Sequence, residues 1–522
     1  MSSLVPTLFN NLNRFGSFPA IEVIESTGLR ILSFAELNEL ALRVAGRLVR
    51  EGAQGRPVAV LATRSFSAYC GVLGSLYAGC FFVPLNPKLS DERLRELLCW
   101  IDPAAIISSP ENLARAGELF GGLVLSPESC DHLPLSEPLS RSPTDPAYVV
   151  FTSGSTGAPK GIEIRDHNLE AYLKAVDTFY DLEPGARMSQ AFDLSFDPAI
   201  GDIFLSWKKG ATLCALPDSA IYRVPAFVRE KKIVFWNSAP ILIKFALQSR
   251  SLAAVSMPGL RYSAFIGEKL HYDLAAAWRK AAPDSTIENI YGPAEATISV
   301  SRYVWYPNEE PSVHEGGLSI GRVHTGQHFR IVNESMSPVA QGERGELCLS
   351  GGQVASGYWK QPELTERAFV ELPDAPSTSE TKWYRTGDLV HLDREANLQY
   401  GGRTDWQIKI GSQRLEPGEI EGLFSRFSGV QDVVVLAWPL DSFGDPAGTI
   451  ALVSGSSGER DWEQVIQELR KRLPAVAIPS MVLQVSSYPA TLHGKVDRKR
   501  LIEIVREGCC PVLFPNSVKH YI

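Results

Sequence analysis

Short apolar runs rich in Val and Ile alternate with helical patterns through the first half of the chain. RPVAVLAT reads as a buried strand, SFSAYCGVLGSLYAGCFFVPL as a helix running into a second strand, and DERLRELLCWIDPAAIISS as a helix running into a third. This strand, helix, strand rhythm predicts βαβ units around mostly parallel sheets. Between about residues 340 and 405 the texture changes to short strands broken by Gly and turn residues, as in GERGELCLSGG, WYRTGDLVHLD and NLQYGGRTDWQIKI, which predicts a β-rich subdomain. Beyond it, PGEIEGLFSRF and DWEQVIQELRKRL place apolar residues at helical spacing. The expected architecture is α/β and multidomain: a large N-terminal domain over residues 1–403, made of βαβ subdomains plus the β-rich subdomain, a small α+β C-terminal domain over 404–510, and a tail over 511–522. The join between the domains is tight, more a hinge than a tether.

Composition narrows the classes. The chain has 522 residues, 44% hydrophobic and 21% charged, which suits several packed cores and excludes a disordered chain. With 51 basic against 59 acidic residues the net charge is −8, so no nucleic-acid partner is expected. The eight cysteines form no CxxC pair and no zinc spacing, and read as reduced thiols in a cytoplasmic setting. The N-terminus lacks a signal-like pattern and no apolar run approaches the roughly 20 residues that span a bilayer, so no membrane partner is expected either.

The most informative stretch is AYVVFTSGSTGAPKGIEI. An apolar run ends in Thr152, Ser153, Gly154, Ser155, Thr156 and Gly157, and Lys160 follows. Glycines let backbone amides approach an anion, hydroxyls add donors and the lysine adds charge, a composition suited to cradling a polyphosphate. The spacing is not that of a Walker loop, and the segment after Gly161 begins extended rather than helical.

This loop, with LYAGCFFVPLNP before it and YGPAEAT, GELCLSGGQVASGYW, WYRTGDL, GRTDWQIKIGSQRLEPGEIE and GKVDRK after it, resembles the adenylate-forming superfamily of amino-acid adenylation domains, acyl-CoA synthetases and luciferases. The motifs run in order from about residue 30 to about 505. The resemblance implies ATP and Mg²⁺ as cofactors. It makes Glu295 the carboxylate that holds Mg²⁺, Tyr291 a neighbour of adenine, Asp388 the acceptor for the ribose hydroxyls and Arg403 a ribose and phosphate contact. Gly267, Glu268, Asn289 and Gly292 complete the implied nucleotide site. Thr152 joins Glu295 and Lys495 in the implied catalytic set, Lys495 bridging the substrate carboxylate and the α-phosphate, and Asp405 marks the hinge. Ala294, where the family usually has Thr, and Gly411, Ser412 and His493 depart from the pattern.

The resemblance also speaks to the substrate. Within AFDLSFDPAIGDIFLSW, the register against IGDIF aligns Asp197 with the aspartate that pairs with a substrate amino group in amino-acid-activating members. Local sequence leaves a second reading open, with Asp193 the important acid and Asp197 a helix N-cap. The implied pocket contains Asp197, Pro198, Gly201, Asn237, Ala264, Ile266, Ile290, Ile298 and Ser299, with Gly201 leaving space. Without the resemblance, most of the three isoleucines would read simply as core packing.

The chain ends 27 residues after Lys495, too short for an appended carrier domain of roughly 80 residues. The expectation is therefore a stand-alone ligase that forms an aminoacyl-AMP and passes it to the phosphopantetheine thiol of a separate carrier protein. A carboxylate:CoA ligase and a catalytically silent scaffold are the alternatives. The basic clusters Arg470-Lys471-Arg472 and Arg498-Lys499-Arg500 read as solvated helix faces or as a steering surface for an acidic carrier.

Overall fold

The computed structural model describes residues 2–25, 28–152, 159–372, 382–411, 413–428, 430, 432–454, 460–490 and 496–516. It divides into two compact units. One comprises Met1–Pro87, Leu98–Phe151 and Gly161–Thr404, and the other Lys88–Leu97, Thr152–Lys160 and Asp405–Ile522.

Two α/β sheets dominate the first unit. The six-stranded sheet orders its strands Leu123–Leu125, Ala105–Ser108, Pro57–Leu61, Phe81–Leu85, Pro146–Thr152 and Lys160–Arg165. The predicted helix before Phe81–Leu85 is Phe66–Tyr77, buried on every side, with the Ser65 hydroxyl accepting from the Ala68 amide at its start. The strand Lys160–Arg165 confirms the extended start expected after the Ser/Gly-rich loop. The nine-stranded sheet carries Phe235–Ser238, Tyr262–Phe265 and Thr286–Tyr291 side by side, the first two pairs parallel, and closes with antiparallel strands at both edges. Between residues 327 and 403 lies the β-rich part, five strands including Gly345–Gly351, Trp383–Leu392 and Leu398–Arg403.

The second unit holds a four-stranded sheet, Val433–Ala437, Thr449–Ser454, Met481–Val485 and Val512–Pro515, with helices Pro417–Ser428 and Trp462–Arg470. Trp462, Val465, Ile466 and Leu469 form the buried face that the sequence pattern predicts, and Asp461 caps the helix through the Gln464 amide. Residues 512–515, expected as part of a tail, instead form an edge strand pairing with Met481–Val485, because Leu513 and Phe514 pack against the core beneath it. Four of the six basic-cluster residues are ion-paired within this unit: Lys471 and Arg472 with Glu468, Arg498 with Glu421, and Arg500 with Glu503. Among the described residues no helix is long and apolar enough to cross a membrane.

Candidate functional site

The helix Asp197–Lys209 organises the site. Pro198 suits its first turn and Gly210, at φ 68°, ends it in a left-handed cap. Asp197 is the first helical residue, and Phe196 occupies the cap position without a side-chain bond. The Asp197 carboxylate instead reaches across the fold, its Oδ2 accepting the Ile298 amide at 3.0 Å. Asp193 holds a turn: its Oδ1 accepts from the Ser195 amide and hydroxyl, and its Oδ2 from Asn86. Of the two acids left open by the sequence, Asp193 is thus occupied locally and Asp197 faces the segment that carries Glu295.

Asp197 keeps some contact with solvent, yet dense surrounding protein raises its pKa to about 7, burial acting first and the Glu295 charge adding to it. The donor amide belongs to a strained segment. Thr297 and Ile298, both β-branched, have φ of 55° and 70°. Gln353 braces it, accepting the Thr297 hydroxyl at its carbonyl and donating its amide to the Ser299 carbonyl at 2.6 Å.

Gly292 is part of the same brace. A Cβ there would lie 2.4 Å from Ser299 Cα and 2.8 Å from the Ile298 carbonyl oxygen. Gly292→Ala is therefore expected to lower stability by on the order of 2 kcal/mol. Gly117→Ala, where a Cβ meets nothing within 4 Å, is the control that does not. Thermal or denaturant melts of the two variants check the contrast.

Several nucleotide-site candidates converge in the first unit. Tyr291, ending the strand Thr286–Tyr291, donates its hydroxyl to Asp388 Oδ2 at 2.6 Å. Arg403, the cross-strand neighbour of Asp388, donates to Oδ1 at 2.6 Å and to the Thr386 carbonyl at 3.2 Å. Among the described residues, Tyr291 donates to one Asp388 oxygen and Arg403 to the other, and a carboxylate oxygen has acceptor capacity for a further hydroxyl. Glu295 is fully buried, with its Oε1 accepting from the Tyr358 hydroxyl at 3.0 Å. Among the described residues no cluster of three or more His, Cys, Asp or Glu forms a metal cage. A single buried carboxylate fits Mg²⁺, which takes one or two protein carboxylates and completes its shell with phosphates and waters.

Other candidates sit differently from expectation. Asn289 is buried and spends its amide on the Leu318 and Ser319 carbonyls, a structural task. Gly267 is exposed at φ 100°, with Glu268 half-buried beside it. In the second unit, the Thr152 hydroxyl is buried with no partner among the described residues, and Lys160 is buried at the start of its strand. Ser153, Gly154, Ser155, Thr156, Gly157 and Lys495 lie outside the described residues, as do Ser412 and His493.

Of the implied pocket, Gly201, Asn237, Ile290 and Ser299 line one small cavity. Ala264 and Ile298 belong to the main core, and Ile266 packs with Phe192, Ala199 and Ala239. Pro198 is buried in the first turn of the helix. Gly201 does not leave open space as expected. A Cβ on it would lie 2.8 Å from the Tyr172 hydroxyl and 3.2 Å from Ile298 Cγ2, so the glycine admits Tyr172 instead. Asp202 and His324 line the same cavity; Asp202 entered the sequence reading only as part of the IGDIF register, and His324 carried no motif.

A family model described as AMP-binding enzyme matches residues 8–359. The chain is 30% identical over 483 residues to a linear gramicidin synthase of Brevibacillus parabrevis, covering 90% of this chain and 9% of that protein. It spans less than half the length of the curated relatives it matches. Among solved structures it resembles the Vibrio cholerae adenylation domain AlmE in complex with glycyl-adenosine-5'-phosphate, with TM-score 0.84, 27% identity and coverage of 97% of this chain and 98% of that one. It also resembles IdnL7, with TM-score 0.71, 32% identity and coverage of 97% and 100%.

Proposed function

Because the chain belongs to the AMP-binding enzyme family and is an adenylate-forming enzyme, we propose that it activates an amino acid as its aminoacyl-AMP and passes the acyl group to the phosphopantetheine thiol of a separate carrier protein. The observation that carries the amino-acid assignment is Asp197. Its carboxylate is positioned by Ile298, belongs to a half-buried residue and lies in surroundings where an unpaired negative charge is unfavourable. A substrate ammonium beside it satisfies that charge.

In the proposed reaction a substrate carboxylate oxygen attacks the α-phosphorus of ATP, the bond to the bridging oxygen breaks, and pyrophosphate leaves. Lys495 neutralises charge on the attacking carboxylate and the α-phosphate. Asp388 and Arg403 orient the ribose, and the hydroxyls and amides of residues 152–157 with Lys160 hold the phosphates. Glu295 would hold Mg²⁺, which would supply charge neutralisation on the phosphate oxygens. The carrier thiol then attacks the acyl carbonyl, loses its proton, and AMP leaves, the C-terminal domain turning at Asp405 between the half-reactions.

The Asp197 ionisation fixes a pH dependence. The protonated form dominates below about 7 and cannot pair with an ammonium. The kcat/KM for the amino acid is expected to rise about tenfold per pH unit below that point and level off above it, because this parameter reports ionisations of the free enzyme. Asp197→Asn removes that limb, whereas a limb that persists assigns it to another group. The acceptor is tested by incubating enzyme, ATP and substrate with a phosphopantetheinylated carrier or with free CoA. Thioester on the carrier alone supports the proposal, and efficient thioester formation on CoA moves the protein to the carboxylate:CoA ligases.

A further inference from the structure

The Ile298 amide that holds Asp197 sits in a conformation its own segment does not favour. Thr297 and Ile298 are β-branched and left-handed, and the Ser299 amide closes back on the Thr297 carbonyl at 2.8 Å, a three-residue turn across Ile298 at φ 70°. Such a turn with a positive central φ is rare and strained, most of all at a β-branched residue. It persists only where the surroundings over-determine it.

Here the surroundings converge on one side chain. Gln353 is fully buried, and its Nε2 donates to the Ser299 carbonyl at 2.6 Å, with the Ala296 and Thr297 carbonyls both at 3.4 Å. Carbonyls gathered around that nitrogen settle which end of the amide is which, so Oε1 is the atom facing His324 Nδ1 at 3.3 Å. Burial lowers the His324 pKa to about 4, so the ring is neutral and donates from Nδ1. Gln353 is itself fixed. Its main-chain amide donates to Gln327 Oε1 at 3.0 Å, its carbonyl accepts the Thr297 hydroxyl, and Asn168 donates to the Gly352 and Val354 carbonyls on either side at 2.9 and 3.0 Å. Each polar group of Gln353 is thus engaged by the protein, and it acts on substrate only through other residues.

The braced segment carries two groups of the site, the Ile298 amide and Glu295. Glu295 has holds of its own: its carbonyl accepts the Ala355 amide at 2.8 Å and its Oε1 the Tyr358 hydroxyl at 3.0 Å. Asp197 Oδ2 depends on the Ile298 amide, a bond that favours the charged carboxylate. Loss of the brace therefore falls on Asp197 before Glu295. The other titratable groups facing Asp197 are Glu295, whose charge opposes its ionisation, and Tyr148 and Tyr172, which burial keeps neutral.

Resting on the amino-acid adenylation reading above, we propose that Gln353 is a positioning residue for recognition of the substrate amine: it holds Thr297 and Ile298 left-handed so that the Ile298 amide keeps the Asp197 carboxylate in place.

The test is the pH profile of kcat/KM for the activated amino acid in ATP–pyrophosphate exchange by the full chain. Gln353→Met is close in size but cannot hold the carbonyls, and Gln353→Asn keeps the amide one methylene short; melts establish that each is folded. Losing a hydrogen bond to a carboxylate moves its ionisation by about one pH unit. The acidic limb is expected to move upward by that amount in Gln353→Met, which lowers kcat/KM about tenfold near pH 6 and leaves it close to wild type above about pH 9. Gln353→Asn is expected to shift in the same direction by less, and the KM for ATP to stay within about twofold in both, because Glu295 is held separately. An unmoved limb in folded Gln353→Met, or in Gln353→Asn should the first variant not fold, overturns the inference while leaving amino-acid adenylation intact. So does a loss equal at every pH, which a merely structural brace would give. Exchange by the wild type with no amino acid overturns the adenylation reading and this inference with it.

Discussion

Asp197→Asn is expected to reduce the kcat/KM for the amino acid by a factor of about 10²–10³ while making the protein more stable near pH 8. The first effect follows from removing one member of a desolvated charge pair, a loss of about 3–4 kcal/mol. The second follows from the sign of the pKa change. The folded-state value, about 7, lies above the ordinary 3.8, so ionisation is harder in the folded protein than in the unfolded chain. Stability therefore falls as pH rises from 3.8 to about 7 and stays low above it. At about 1.36 kcal/mol per pH unit the penalty is capped near 4 kcal/mol. Asparagine can still accept the Ile298 amide and carries no such penalty. Exchange kinetics together with melts at pH 4 and pH 8 check both parts. A variant that loses activity and stability together at pH 8 would make Asp197 a structural residue.

Lys495→Ala is expected to lower ATP–pyrophosphate exchange by about 10²–10³, the scale of removing one charge-stabilising contact from a transition state. Thioester formation from supplied aminoacyl-AMP should persist, because the thiol step does not use the lysine. Single-turnover assays of the two half-reactions separate the outcomes. Equal loss in both half-reactions, or unchanged exchange, removes Lys495 from its assigned role.

The fold was largely legible because its signals are local. Val-rich runs such as PVAVL make buried parallel strands, and the Gly-punctuated stretch around GELCLSG makes the β-rich sheet. Asp388 and Arg403 were legible only through motif resemblance, and the strand register now gives a physical reason for their pairing. What stayed hidden depends on convergence. Nothing local in GDIF shows that Asp202 meets Asn237, 35 residues on, and His324 still further along, at one cavity. The left-handed Thr297 and Ile298 contradict the local preference of β-branched residues, so only tertiary bracing from Gln353 explains them. Gly201 misled because a missing side chain suggests room, whereas here the Tyr172 hydroxyl fills it.

Selection of an amino acid through Asp197 is tested most directly by ATP–pyrophosphate exchange with an activated amino acid and with the same acid lacking its α-amino group. Exchange is expected with the amino acid and at least about a hundredfold less with its desamino analogue, the cost of leaving a charge unpaired in that site. Equal exchange with the two acids would contradict the role assigned to Asp197.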